Sequence, residues 1–234
     1  MAPKLLKKNL QIAIDGPVAA GKGTVARLLA QKLNLLYLDT GAMYRAVALL
    51  GLENNIDLKD EKALLVLLKK TRLEIKPPKK NSPFSRVFLN GREVTLKIRT
   101  PQVSWGSSVV ATLPGIRRYL VRLQQQIARS QAVVMEGRDI TTVVLPHADL
   151  KIYMTASQKE RARRRFLQLK KLGTPQPFSQ VLEETKKRDY QDSHRSANPL
   201  VVAPDAWVLD TTRLTISQVV NAILEKLRQL KLIQ

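Results

Sequence analysis

The residues Gly16-Pro17-Val18-Ala19-Ala20-Gly21-Lys22-Gly23-Thr24 combine glycines, a lysine and a hydroxyl in an order that suits a chain of phosphates. Glycines let the backbone wrap a phosphate with its N–H groups, a lysine reaches the outer phosphates, and a hydroxyl can meet Mg²⁺. The spacing G-x-x-x-x-G-K is met, but Gly23 stands where such loops carry Ser or Thr, and Thr24 follows one step later. Three further clusters mix arginine with carboxylate. They are Asp39-Thr40-Gly41-Ala42-Met43-Tyr44-Arg45, then Glu136-Gly137-Arg138-Asp139, then Arg188-Asp189-Tyr190-Gln191-Asp192-Ser193-His194-Arg195. Arginine forks grip phosphate oxygens in pairs, while carboxylates accept from sugar hydroxyls or an exocyclic amine. On a helix, Arg188, Asp192 and Arg195 at i, i+4 and i+7 would share one face and converge on one ligand.

Short, continuous apolar runs stand before most of these clusters: 10–14 (LQIAI), 35–38 (LLYL), 132–135 (AVVM), 150–154 (LKIYM) and 206–209 (AWVL). They are too continuous for half-exposed strands, and long helical patterns separate them, which predicts an α/β protein with a parallel sheet covered on both faces. Asp15, Asp39, Glu136 and Asp210 follow these runs directly. In open α/β sheets the ligand crevice lies beyond the carboxyl ends of the strands, so chemistry should gather there. Apolar stripes at 25–33, 116–128 and 216–227 predict helices that serve as core faces. The stretch 51–100 breaks the alternation. It offers a helix at 61–70, a basic proline-rich bend at 76–83 (KPPKKNSP), read as a solvated loop, and Asn90-Gly91 between alternating residues, which suits a type I′ hairpin. We read 51–100 as an inserted subdomain, with 1–50 and 101–234 forming the core.

Lys and Arg number 40 against 19 Asp and Glu in 234 residues, a net charge of +21. The absence of Cys excludes disulfides, thiolate metal sites and thiol nucleophiles, and two His leave little for metal chemistry. No apolar run reaches the ~18 residues of a membrane span, and the basic opening segment lacks the apolar stretch of a signal peptide. The expectation is a soluble, cytoplasmic protein without a membrane partner. Its charge favours polyanions.

The GKGT ending resembles the nucleoside monophosphate kinases among the P-loop proteins. Together, GPVAAGKGT, DTGAMYRAVA, IRTPQVSWGSSVVATLPGIRR, EGRDITTVVLPHADLKIYM, ERARRR and RDYQDSHRSANPL resemble the bacterial cytidylate kinase family over essentially the whole chain. The insert of roughly 50 residues resembles the long form of that family.

The resemblance implies a three-layer P-loop kinase fold with a five-stranded parallel sheet, an inserted NMP-binding subdomain at 51–100 and a short helical lid at about 158–176. It implies transfer of the γ-phosphoryl group of ATP to CMP or dCMP. Residues 16–24 would hold ATP. Lys22, Arg161 and Arg164 would be catalytic, with Arg161, Arg164 and Arg165 on one lid face opposite Ala162, Phe166 and Leu169. Ser108, Arg117 and Asp139 fall where the family reads cytosine. Arg45, Arg138 and Arg195 fall at the CMP phosphate, Arg188 and Asp192 at the sugar, and Thr40 keeps a hydroxyl beside them. Mg²⁺ should arrive with ATP and keep mostly water ligands, touching Thr24 directly and Asp15 through water. A monomer is expected. Other readings of the same residues are a P-loop kinase acting on UMP or AMP, and a basic nucleic-acid-binding protein on a kinase fold. The family offers no use for the surplus charge, which suits incidental polyanion binding at low salt and implies no obligate nucleic-acid partner. Trp105 and Trp207 are read as packing residues.

Overall fold

The computed structural model describes residues 3–78, 84–171 and 173–234. Most of the basic bend at 76–83 therefore lies outside the described residues. Five parallel strands form the central sheet: β1 (Gln11–Asp15), β2 (Leu36–Asp39), β6 (Val133–Gly137), β7 (Leu150–Thr155) and β8 (Trp207–Asp210), in the order β2-β6-β1-β7-β8. Each run read as strand lies in this sheet, with its end shifted by a residue or two, so that Asp15, Asp39 and Asp210 close β1, β2 and β8 and Glu136 is the last but one residue of β6. Alternate residues face opposite layers. Ala13, Leu38, Val133 and Met135 enter one apolar cluster, while Ile12, Ile14, Tyr37 and Val134 enter the other. Both faces being apolar is why the runs look continuous rather than alternating.

Helix α1 (Lys22–Leu33) and α8 (Ile216–Gln229) cover one face. The other is covered by α2 (Thr40–Glu53), α4 (Pro101–Val110) and α5 (Pro114–Ser130), together with α3 (Glu61–Lys69). A small antiparallel sheet joins this second layer, built from β3 (Leu73–Lys76), β4 (Arg86–Leu89) and β5 (Arg92–Glu93). The turn between β4 and β5 holds Asn90 at φ 49° and Gly91 at φ 80°. Two successive positive φ values are the I′ geometry that Asn-Gly tolerates best. The segment 51–100 does not pack on itself alone. Leu64, Leu68, Val87, Val94 and Ile98 are buried in the same cluster as Leu38 and Met135.

Finally, α6 (Gln158–Lys171) and α7 (Phe178–His194) form a hairpin with its own small cluster of Ala162, Leu169 and Val181, flanked by Phe166 and Phe178. The chain enters the sheet at β1, leaves to one side through β2 and β6, and crosses to the other through β7 and β8. That reversal at β1 opens a crevice beyond its carboxyl end.

Candidate active site

The phosphate loop begins as β1 ends. Gly16 has φ +147°, and a Cβ there would lie 1.9 Å from the Met154 carbonyl oxygen on the neighbouring strand. Only glycine lets loop and strand approach so closely. Gly21, at φ 94°, precedes α1, and no side chain caps that helix. Its leading N–H groups are left for an anion, in line with the helix dipole. By contrast, Asp39, Asp60 and Thr215 cap α2, α3 and α8.

Lys22 turns back into the loop. Its Nζ donates to the carbonyls of Gly16 at 2.7 Å and Pro17 at 2.9 Å. Burial and the nearby Arg138 push its pKa down to about 7, against the opposing pull of Glu136, Asp192 and Asp15. The glycine at position 23 has a local cause. A Cβ would stand 3.2 Å from the Tyr37 hydroxyl and 3.3 Å from Glu136 Oε1. Thr24 is exposed in the first turn of α1.

Asp15, the acid at the end of β1, does not face the loop's ligand side as a free group. Its Oδ1 accepts from Ile140 N at 2.9 Å, and its Oδ2 from Thr141 N and Thr141 Oγ1, both at 2.7 Å. These bonds anchor the π-helical turn at 140–144. That turn sets Asp139 in place.

Asp139 is 5% exposed and pairs with Arg117, itself 2% exposed. Arg117 also donates to the Ala111 carbonyl at 2.9 Å, and its Nε has no partner. Asn198 Nδ2 donates to Asp139 at 3.3 Å, and Arg195 Nη2 lies 3.8 Å from Asp139 Oδ1. Arg195 stands just past α7, where its Nε donates to the Asn198 carbonyl at 2.8 Å. It is thus off the helix face it was expected to share with Arg188 and Asp192. The turn after the helix, rather than helical periodicity, carries it to Asp139.

A second basic cluster lies between this acid and the lysine. Arg138 Nε donates to Asp192 at 2.6 Å, and Arg45 Nη2 to Asp39 at 2.8 Å. The Thr40 hydroxyl donates to the Glu136 carbonyl at 2.8 Å. Burial lifts the Asp39 carboxyl, but Arg45 and Arg99 outweigh it and hold that group below its ordinary value. Glu136 moves up, through burial and the neighbouring Asp39. Arg99 was not foreseen. Its guanidinium lies over the Phe84 ring at 3.6 Å and 3.7 Å from Asp39, with a buried, unpartnered Nε. Arg45 Nε is likewise buried without a hydrogen-bond acceptor, and the buried Arg195 Nη2 has only its 3.8 Å ion pair with Asp139. Buried donors without acceptors are costly to a fold, and these belong to arginines that the sequence already marked or that neighbour them.

Ser108 and Arg188 come together across a cleft of about 320 Å³, lined by Trp105, Ser108 and Val109 of α4 and Glu184, Lys187, Arg188 and Gln191 of α7. Burial and Arg138 bring the Arg188 guanidinium down to about 10. Trp105, expected to pack, is instead 68% exposed at this cleft. Trp207 does pack, against the α1–α8 layer.

The α6 arginines expected on a lid are bonded to the core and to α7. Arg164 donates to the Thr211 carbonyl at 2.6 Å, and Arg161 donates to Val18 of the phosphate loop at 3.2 Å and to Asp189. Arg165 pairs with Gln168 instead, at 2.8 Å.

A family model described as cytidylate kinase matches residues 12–229. The chain belongs to the cytidylate kinase family. It is 49% identical over 217 residues to the cytidylate kinase of Ligilactobacillus salivarius, covering 93% of this chain and 96% of that protein. With the cytidylate kinase of Carboxydothermus hydrogenoformans it shares 50% over 216 residues, covering 92% and 96%. A solved protein from Eubacterium ventriosum superposes with a TM-score of 0.52 at 10% identity, covering 94% of this chain and 98% of that one, which speaks for the fold alone. As a cytidylate kinase the chain is a phosphotransferase of the nucleoside monophosphate kinase class on an α/β P-loop kinase fold. Among the described residues no helix is long and apolar enough to cross a membrane.

Arg99 and Asn198 were given no role in the sequence, and Asp189 was named only as a member of its arginine-carboxylate cluster. Arg99 sits in IRT and Asn198 in the segment after RDYQDSHR, both inside quoted motifs, but their partners come from distant segments. Only an acid or arginine falling within a motif could have flagged them.

Proposed function

We propose that this cytidylate kinase transfers the γ-phosphoryl group of ATP to CMP or dCMP, with residues 16–24 as the donor cradle and the Arg117–Asp139–Arg195 cluster as the acceptor reader. The observation that carries the proposal is the pair of bonds from Asp15 to the turn at 140–141. They tie the end of the donor strand to the turn that directly follows Asp139, the residue that would meet the acceptor. The Asp139 carboxylate would accept from the exocyclic amine of cytosine, while Arg117 offers its fork to the ring. Arg45, Arg99, Arg138 and Arg195 would neutralise the acceptor phosphate, and Arg188, Asp192 and Ser108 would line the sugar and base. Thr40 would support this cluster through its bond to Glu136.

Lys22 would leave the loop carbonyls and bridge the phosphates. In phosphoryl transfer the protein mainly positions two phosphates in line and offsets charge on the equatorial oxygens. Arg161 and Arg164 would brace the loop from the lid side, and lid closure would keep water from competing as acceptor. The donor set suits Mg²⁺ that comes with ATP. Thr24 offers an exposed hydroxyl, Asp15 is engaged elsewhere, and no cluster of three or more acids or histidines is present among the described residues. When bound, the ion would offset phosphate charge, with Thr24 the residue placed to meet it. A monomeric, cytoplasmic enzyme belongs to the same proposal.

The test is coupled ADP release with ATP, Mg²⁺ and a panel of CMP, dCMP, UMP and AMP. Turnover of ~1–100 s⁻¹ with CMP and dCMP, well above UMP and AMP, is expected. Lys22→Ala should lower kcat by ~10²–10³-fold. Equal turnover with all four acceptors, or a near-normal kcat in the variant, would refute it.

A further inference from the structure

Asp189 takes no part in the acceptor cluster, although Arg188 and Asp192 stand beside it on α7. Its two carboxylate oxygens accept from both terminal nitrogens of Arg161, at 2.9 and 2.7 Å. That is a bidentate fork, which fixes orientation as well as distance. Arg161 is 4% exposed. Its remaining bonds go to backbone: Nε donates to the Ala156 carbonyl at 2.9 Å, and Nη1 also to Val18 at 3.2 Å. Val18 belongs to the phosphate loop, and Ala156 follows β7. A single guanidinium thus spans the donor loop, the end of a core strand and α7.

Side chains close together on α7 point to different sites. Arg188 lines the cleft shared with Ser108 and Trp105. Asp189 holds Arg161. Asp192 accepts from Arg138, the residue after β6. Behind them, Ala162 and Leu169 of α6 pack with Val181 of α7 in one small apolar cluster that joins the two helices. A rigid element that touches both sites is the physical requirement for energetic coupling between them.

We propose that Asp189 is a positioning residue that couples the two nucleotide sites. It holds the Arg161 fork against the Val18 carbonyl, and ordering of α7 by an acceptor at Arg188 and Asp192 is passed through that fork to the donor loop. The proposal rests on the donor and acceptor assignments made under Proposed function. Removing the carboxylate leaves Arg161 hydrogen-bonded to backbone but no longer tied to α7.

The experiment is calorimetric titration of the full chain with a non-hydrolysable ATP analogue and Mg²⁺, with and without saturating CMP. The ratio of the two dissociation constants is the coupling factor, expected at ~5-fold or more in the unmodified chain. In Asp189→Asn it should fall below about 2-fold, while affinity for the analogue alone changes less than the ratio does. Arg161→Lys keeps the charge and loses the fork, and should abolish the coupling equally. Asp189→Glu keeps the carboxylate and should recover a measurable part of it. A merely structural role would lower both affinities and the unfolding temperature together and leave the ratio intact.

Should Asp189→Asn not fold, Arg161→Lys decides the matter on its own. An unchanged ratio in either folded variant overturns the proposal, as does a ratio of one in the unmodified chain. CMP turnover in the same preparations separates the two levels. A chain that phosphorylates CMP without coupling refutes the positioning role alone, whereas one that neither binds nor phosphorylates CMP refutes the acceptor assignment as well.

Discussion

Donor binding is expected to draw a proton from solution at pH 8, and Lys22 is the group that takes it up. The lysine Nζ is buried and hydrogen-bonded only to the carbonyls of Gly16 and Pro17. Burial and the Arg138 charge hold its pKa at about 7. One unit above that value, about nine-tenths of the chains carry a neutral amine. Phosphates placed beside it favour the charged form and move the pKa back up. Binding at pH 8 should therefore take up about 0.9 proton per donor, and the uptake should vanish below about pH 6. Donor affinity should weaken as pH rises above about 7, by up to about tenfold per unit.

The assay is titration calorimetry with Mg²⁺ and an ATP analogue in two buffers of different ionisation enthalpy; the heat difference counts the protons. Lys22→Met fills the same space without a titrating group and should abolish the uptake. No uptake at pH 8, or equal uptake in Lys22→Met, would refute the reasoning. The same shift has a consequence for stability. The folded value lies below the unfolded one, so between about pH 7 and about pH 10 the unfolded chain holds a proton that the folded chain lacks. Stability from this group rises with pH across that window.

Asp139→Asn should raise the KM for CMP by ~10²-fold or more, because groups built around the base are left unpaired. The same change weakens the pairing of buried Arg117 and should lower stability by ~3 kcal/mol in urea unfolding; an unchanged midpoint would show that the pair carries little. Gly23→Ser rebuilds the more usual loop spelling but drives a Cβ toward the Tyr37 hydroxyl and Glu136. It should cost ~1–3 kcal/mol, and Tyr37→Phe in the same chain should return part of that loss. Trp105 is exposed on the cleft while Trp207 packs on the sheet. CMP should shift the emission of the unmodified chain to shorter wavelength, and Trp105→Phe should remove that shift.

The loop at 16–24 was legible as a motif because backbone that can wrap a phosphate is contiguous, so glycines, Lys22 and Thr24 stand side by side in the chain. The sheet was legible for a similar reason. Strands such as Ile12–Ile14 bury both faces, and nothing but an unbroken apolar run can do that. Asn90-Gly91 betrayed its turn because the constraint, two positive φ values, is local. Family membership was legible as well, since its motifs keep their order along the whole chain.

Partnerships across the fold were not. Asp15 stands at the end of β1 like any crevice acid, yet its oxygens are taken by Ile140 and Thr141, more than a hundred residues away. Arg195 has helical spacing from Arg188, yet the helix ends before it, and the turn delivers it to Asp139. Arg99 and Asp189 have no spacing signal, because the charge each one meets comes from another part of the chain. A sequence records which groups are present and which short-range geometries they permit. Which guanidinium meets which carboxylate depends on burial, since only in the dry crevice does an unpaired charge become costly enough to dictate its partner. The glycine-rich loop motif, the sheet and the family could be read along the chain; which arginine pairs with which acid was settled by packing.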